Sequence, residues 1–429
     1  MTNIREIKND LLKDSYFEID HKSGFKIFVY PKENYSSSYA VFGTKYGSID
    51  TCFKVEGNDK FTEVPEGIAH FLEHKLFESE ELDAFARYAK TGASANAYTS
   101  FDKTCYLFSC TGNFEDSLEI LLDFVSNPYF TEQTVQKEQG IIGQEIRMYE
   151  DEPGWESLFV LLRAMYHEHP VRIDIAGTVE SISHITADLL YECYNTFYNP
   201  ANMALAVAGN VTVEQVLKIA DKMLKPKESK EIERKFCKEP ATVVEKTATK
   251  NLSVAMPIFA IGFKEDIKTP LRTLKESMES GILLDILAGP TSSLYEEMLN
   301  DNLINTTFDT EYFEGYGYSA HIFNGESNEY EKVRERINSE IEKLMETGVD
   351  EEAFQRIKKK HYGSLIMDFD SVDSISNSLI SAYFNGEGLF DQLKILESIT
   401  VEDINRRLKE AFNIENSSMS VIKNKEERV

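Results

Sequence analysis

Apolar positions along the chain fall into short blocks with two different spacings. FKIFVYP (25–31) and YAVFGTKYGS (39–48) are rich in β-branched and aromatic residues and are bounded by Gly, Pro and Asn, which predicts strands. YTSFDKTCYLFSC (98–110) alternates and predicts another strand, and MALAVAG (203–209) a buried one. Residues 114–126 and 131–150 read as helices. Thr131 is a good N-cap for the second, with Thr134 following, and Pro153-Gly154 is expected to close it. A further helix is expected over 179–198, stopping before Asn199-Pro200.

The stretch 225–250 is charged, lacks apolar periodicity and carries Pro226 and Pro240, so it reads as a linker. Beyond it the order of elements repeats. MPIFAIGFKE (256–265) is a strand, 272–288 an apolar helix and 306–324 strand-like. Helices follow at 327–347, 350–369 and 373–384, then a helix at 401–412 and a strand at 418–423. This predicts an α+β protein of two similar domains, 1–224 and 251–429, joined by the linker 225–250. Each would be an antiparallel-rich sheet with helices packed on one face, and a metal motif would occur only in the first.

Composition narrows the function. Of 429 residues 42% are hydrophobic and 11% aromatic, enough for large cores. The formal net charge of −27 disfavours nucleic acid and anionic membranes as partners. An acidic surface suits basic substrates, but more often it only keeps a protein soluble. No apolar run is long enough to span a bilayer. MTNIREIKNDLLKDSYFE has no apolar core of a signal peptide. Five scattered cysteines without a C-x-x-C pair argue against a disulfide framework or a thiolate zinc site. The expected compartment is the cytoplasm.

The chemistry concentrates in HFLEH, residues 70–74. On a helix, positions four apart share a face, about 5–6 Å apart at Cβ. His70 and His74 can therefore hold one ion together. Zinc takes imidazole and carboxylate ligands, and a catalytic site uses three protein ligands plus water. Glu73 borders the same face, where a carboxylate can take a proton from water activated by the metal. Coincidental spacing is the bland alternative. Against it stands the apolar setting of Ile68, Ala69, Phe71, Leu72, Leu76 and Phe77, which would bury the imidazoles and require partners for them. The third ligand should be an acid on a neighbouring element, and 131–150 offers Glu138, Glu145 and Glu150. Spacing alone does not choose among them, and each is otherwise a solvated helix acid.

HFLEH is the inverted zinc motif H-x-x-E-H. With it, the chain resembles the pitrilysin/insulinase-type zinc metallopeptidases, which include the mitochondrial processing peptidase. SANAYTSFDKTCY (94–106), EQGIIGQEIRMYEDEP (138–153), GTVESISHIT (177–186) and FYNPANMALAVAGNV (197–211) extend the resemblance over most of 24–215. It implies one Zn2+ per chain on His70, His74 and Glu145, with Glu73 as base and Glu138 orienting the site. It also implies that a peptide substrate adds as an extra strand beside Asn96, Ala97 and Tyr98. Family members cut peptides in a closed chamber of two halves, and this chain has the length of one half. Active members carry an Arg and, seven residues on, a Tyr in the second domain; Leu299 and Thr306 stand there instead. The resemblance thus implies the zinc-bearing subunit of a heterodimer whose homologous partner supplies Arg and Tyr, with a homodimer as the alternative. The rival reading is a non-catalytic scaffold or assembly subunit that keeps the fold.

Overall fold

The computed structural model describes residues 2–80, 82–267 and 271–424. The chain forms two compact units, and neither is one continuous run. The first comprises Met1–Ile146, Asp174–Lys235 and Ile366–Asp391; the second comprises Arg147–Ile173, Phe236–Leu365 and Gln392–Val429. Both are antiparallel-rich sheets layered with helices. No helix of the described residues is long and apolar enough to cross a membrane.

In the first unit, seven strands make the main sheet: β1 (Asn3–Asn9), β2 (Asp14–Asp20), β3 (Lys26–Pro31), β4 (Ser38–Thr44), β7 (Ser94–Thr99), β8 (Thr104–Cys110) and β9 (Met203–Gly209). Their order is β1-β2-β3-β9-β4-β8-β7, antiparallel except for β3 beside β9. A small second sheet joins β5 (Cys52–Val55), β6 (Thr62–Glu63) and β10 (Ile232–Arg234). The helices are α1 (Ile68–Leu76), α2 (Ala84–Thr91), α3 (Phe114–Ser126), most of α4 (Glu132–Glu150), α6 (Val179–Ile182), α7 (Ala187–Phe197), α8 (Val213–Met223) and α13 (Val372–Asn385).

The two faces of this sheet carry different side chains. Ile27, Val29, Phe42, Leu205 and Val207 enter one core together with α1, α3, α7 and α8. Each fully buried side chain of this kind stabilises by about 1.5–3 kcal/mol. On β9 and at Gly43 of β4 the opposite face is small, with Ala204, Ala206 and Ala208, while β3 adds Phe28 and Tyr30, and α13 lies against it. A Cβ on Gly43 would come within 3.0 Å of Ile380 Cγ2. Covered on both faces, β9 is buried at every position, which is why MALAVAG shows no alternation.

The second unit holds β11 (Thr247–Asn251), β12 (Ile258–Lys264), β13 (Asp309–Gly315), β14 (Tyr318–Glu326) and β15 (Ser417–Lys423), in the order β11-β15-β12-β14-β13. Phe259, Ile261, Phe263, Met419 and Val421 pack on α9 (Leu274–Ala288), α10 (Ser293–Asn300), α11 (Tyr330–Thr347) and α15 (Val401–Ala411). Most of α12 (Glu351–Asp368) and of α14 (Asp391–Ser398) completes this layer. The other face again carries one helix, α5 (Pro153–Met165), against β12 and β15. The helix comes close at Gly262, where a Cβ would lie 2.5 Å from Met165 Sδ and the methionine side chain would have to move.

Three local expectations are corrected. Residues 98–110 are not one strand but the end of β7, a turn and β8. Ser100 Oγ accepts from Asp102 N and Lys103 N, and this side chain makes the turn without Gly or Pro. Pro153-Gly154 does not close α4. It opens α5, with Pro153 in the first turn and the Glu152 carboxylate accepting from Gly154 N. The helix expected over 179–198 is interrupted, and Thr186 caps a new start at α7 by accepting from Leu189 N.

Candidate metal centre

α1 is seated by a close approach of two loops. Gly67 precedes it with φ 86°, where a Cβ would lie 2.2 Å from Ala176 O; at Gly177, with φ 74°, a Cβ would lie 2.5 Å from Glu66 O. Only glycine fits either position. Ile68, Phe71, Leu72 and Leu76 then enter the core. This leaves His70 and His74 half-buried on a neighbouring face, with Glu73 between them and only 8% exposed. α4 starts where Thr131 Oγ1 accepts from Thr134 N at 3.2 Å. Val135, Ile142 and Ile146 anchor it, and Glu138 and Glu145, two turns apart, run along α1.

The helices bring three donors together. One ligand atom each of His70, His74 and Glu145 lies within 4.8 Å of the others. His70 Nε2 is 3.8 Å from Glu145 Oε1, and His74 Nε2 is 3.5 Å from Glu145 Oε2. A tetrahedral zinc with bonds of about 2.0–2.2 Å places its ligand atoms roughly 3.3–3.6 Å apart, so the group fits that ion in donor type and spacing. Among the described residues no other such group of His, Cys, Asp or Glu occurs. Glu138, only 6% exposed, accepts from His74 Nδ1 at 3.0 Å. That bond fixes the tautomer and turns the lone pair of Nε2 towards His70 and Glu145. His70 Nδ1 is buried without a hydrogen-bond partner.

The electrostatics suit a cation. Burial, helped by the nearby His74, pushes the His70 pKa down to about 3, so this imidazole stays neutral. For His74 burial opposes the charge, but the bond to Glu138 and the fields of Glu73 and Glu145 outweigh it and raise its pKa. Burial raises Glu145, with Asp174 and Glu138 adding to the effect against His74. Burial likewise raises Glu73, against a hydrogen bond from Thr99 and the field of His74. Three carboxyl groups around two imidazoles give an acidic setting, and a divalent ion would offset its negative charge.

β7 lies beside this group as the last strand of its sheet, paired among the described residues only with β8. Asn96 is exposed, and its Oδ1 accepts from Ala97 N at 2.9 Å. Ala97 packs on the core. Tyr98 OH donates to Asn377 Oδ1 of α13 at 2.9 Å, and Asn377 Nδ2 donates to Tyr39 OH. Thr99 Oγ1 donates to Glu73 Oε2 at 2.6 Å. Sequence reasoning missed Thr99 and Asn377. Thr99 was within reach, since it lies two residues beyond Ala97 and so on the same strand face; nothing in the sequence pointed to Asn377. In the second unit, Leu299 is on α10, 37% exposed, and Thr306 is exposed in the loop before β13.

Comparison with known proteins places these features in a family. The profile of the Insulinase family (Peptidase family M16) matches residues 61–179, and that of the Peptidase M16 inactive domain matches 184–360. YmfH of Bacillus subtilis, named as an uncharacterised zinc protease, is 42% identical over 95% of this chain and 96% of its own. A crystal structure described as an M16-like peptidase from Alicyclobacillus acidocaldarius is 36% identical, covers 99% of both chains and superposes with a TM-score of 0.91. Pitrilysin shares the fold at 16% identity and a TM-score of 0.76; 99% of this chain corresponds to 47% of that one.

Proposed function

The chain belongs to the insulinase family of peptidases, M16, and on that premise we propose that it is a zinc-dependent endopeptidase subunit cleaving peptides or unfolded segments. The observation that carries the reading is the convergence of His70, His74 and Glu145 within 4.8 Å, beside the buried carboxylate of Glu73. These three residues hold one zinc, which when bound supplies Lewis acidity. Glu138 keeps His74 in the ligating tautomer. Glu73 takes a proton from the attacking water and delivers it to the leaving amine, a role that contributes about 10²–10⁴ in rate. The substrate adds as a strand to the open side of β7 at Asn96, Ala97 and Tyr98, so backbone bonding gives affinity with little sequence demand.

The chain corresponds to about half of pitrilysin, and Leu299 and Thr306 stand where the family's Arg and Tyr are expected. A homologous partner chain therefore completes the chamber and supplies that pair; a homodimer using other donors is the alternative. The scattered, unpaired cysteines suit a cytoplasmic site of action. A second reading, a non-catalytic subunit that keeps the fold, draws on the replaced Arg/Tyr pair. The test is zinc content together with turnover of a mixed fluorogenic peptide library, by the chain mixed with an Arg/Tyr-bearing homologue from the same cell. One zinc per chain and metal-dependent cleavage are expected. Zinc binding without any cleavage by the mixture would favour the second reading, and no zinc under metal-replete conditions would reject the site.

A further inference from the structure

We propose that Thr99 is a positioning residue for Glu73: the edge strand that receives the substrate also fixes the carboxylate of the base through this hydroxyl. The consequence for turnover rests on the endopeptidase reading; the positioning itself does not.

The geometry begins with strand alternation. Ala95, Ala97 and Thr99 share one face of β7, and the two alanines pack on the core that α1 enters. Thr99 ends the strand and brings a hydroxyl where Ala95 and Ala97 bring methyl groups. Its Oγ1 donates to Glu73 Oε2 at 2.6 Å, a short bond of the charge-assisted kind.

The other side of this hydroxyl is also defined. Thr99 pairs across the hairpin with Thr104, and their Oγ1 atoms lie 3.3 Å apart. Thr104 is wholly buried, and its Oγ1 donates to Tyr46 O at 2.8 Å. With that proton committed to a backbone carbonyl, Thr104 Oγ1 is only an acceptor towards Thr99, and the Thr99 proton goes to the nearer and charged oxygen of Glu73, at 2.6 Å against 3.3 Å. The carboxylate is thereby held by one oxygen. Oε1 accepts no hydrogen bond among the described residues. Glutamate has three rotatable side-chain bonds, and a buried carboxylate without a donor has no reason to keep one rotamer.

Two substitutions test this. Thr99→Val keeps the shape and removes the hydroxyl; Thr99→Ser keeps the hydroxyl and removes the methyl. Crystal structures of both variants and the parent report the Glu73 rotamer, and turnover with the homologous partner reports the consequence. For Thr99→Val we expect the Glu73 carboxyl to leave its parental position or split between rotamers, with zinc content unchanged. Its kcat should fall about 10–100-fold, as for other supporting partners in metal sites, with KM within about 2-fold of the parent. Thr99→Ser should restore both the rotamer and most of kcat. If Thr99→Val does not fold, Thr99→Ala gives the same reading. A single, unmoved Glu73 in Thr99→Val, or parental kcat, would overturn the inference. If even the parent mixture shows no turnover, the endopeptidase reading fails by itself, and the crystallographic comparison still decides whether Thr99 fixes Glu73.

Discussion

His74 divides the labour between two glutamates that share one face of α4. Its Nδ1 is bound to Glu138 at 3.0 Å, while its Nε2 looks at Glu145 from 3.5 Å. Glu145→Gln should therefore weaken zinc binding more than Glu138→Gln, which should retain most of the metal and lose about 10–100-fold in activity. Chelator competition on the two variants checks this; the reverse order would exchange their roles. A different buried carboxylate, Glu265 of the second unit, should contribute to acid stability. It is 3% exposed and is contacted by Arg407, Arg272 and His321. Burial alone would raise its pKa, but His321 and the two guanidinium groups hold it at about 2. Its folded-state pKa is thus below the unfolded value of about 4.3. The stability it contributes is complete above that value and is lost as pH falls towards 2. Glu265→Gln should abolish this part of the acid dependence. It should also cost about 3–5 kcal/mol at neutral pH, because Arg407 is left buried without its partner. Denaturant unfolding at pH 7 and at pH 3 measures both effects.

Among the elements, α1 depends most on its approach. Gly67→Ala forces an alanine to φ 86° with its Cβ against Ala176 O. The left-handed conformation alone costs roughly 1–2 kcal/mol, and the backbone overlap adds to it, so α1 should shift. Lower thermal stability and weaker zinc binding are expected together. Parental zinc affinity in a destabilised Gly67→Ala protein would mean that the loop contact does not position the histidines. How far the sequence reveals such features depends on the range of the forces involved. α3, spanning Phe114–Ser126, and β9, spanning Met203–Gly209, are set by local periodicity and sharp boundaries, and both are legible in advance. The turn between β7 and β8 is not, because Ser100 makes it with side-chain bonds in place of Gly or Pro. The packing of α13 on β9, and of α5 on β15, is invisible to any local window, since small residues such as Ala206 and Ser420 meet partners more than 150 residues away. At the site, His70, Glu73 and His74 stand out through spacing within one helix. Glu138 and Glu145 do not separate that way, because seven residues put both on one face; the family resemblance distinguishes them.

On the scale of the whole molecule, the chain matches YmfH over nearly its full length but only half of pitrilysin. Under the proposed function, one chain holds the metal and the base, and a second supplies the remaining donors to the oxyanion. Such donors are worth about 10²–10³ in rate. The chain purified alone should therefore show little peptidase activity, and addition of an Arg/Tyr-bearing homologue should restore it. Robust turnover by the lone chain, after rigorous removal of co-purifying proteins, would instead leave a homodimer with other donors. Under the proposed function, peptide hydrolysis proceeds through Glu73 at a zinc site. Its most direct test compares the turnover of a mixed fluorogenic peptide library by parent and Glu73→Gln chains, each zinc-loaded and mixed with that homologue. Equal zinc content and a loss of about 10²–10⁴ in rate are expected for Glu73→Gln; cleavage at the parental rate would rule out Glu73 as the base.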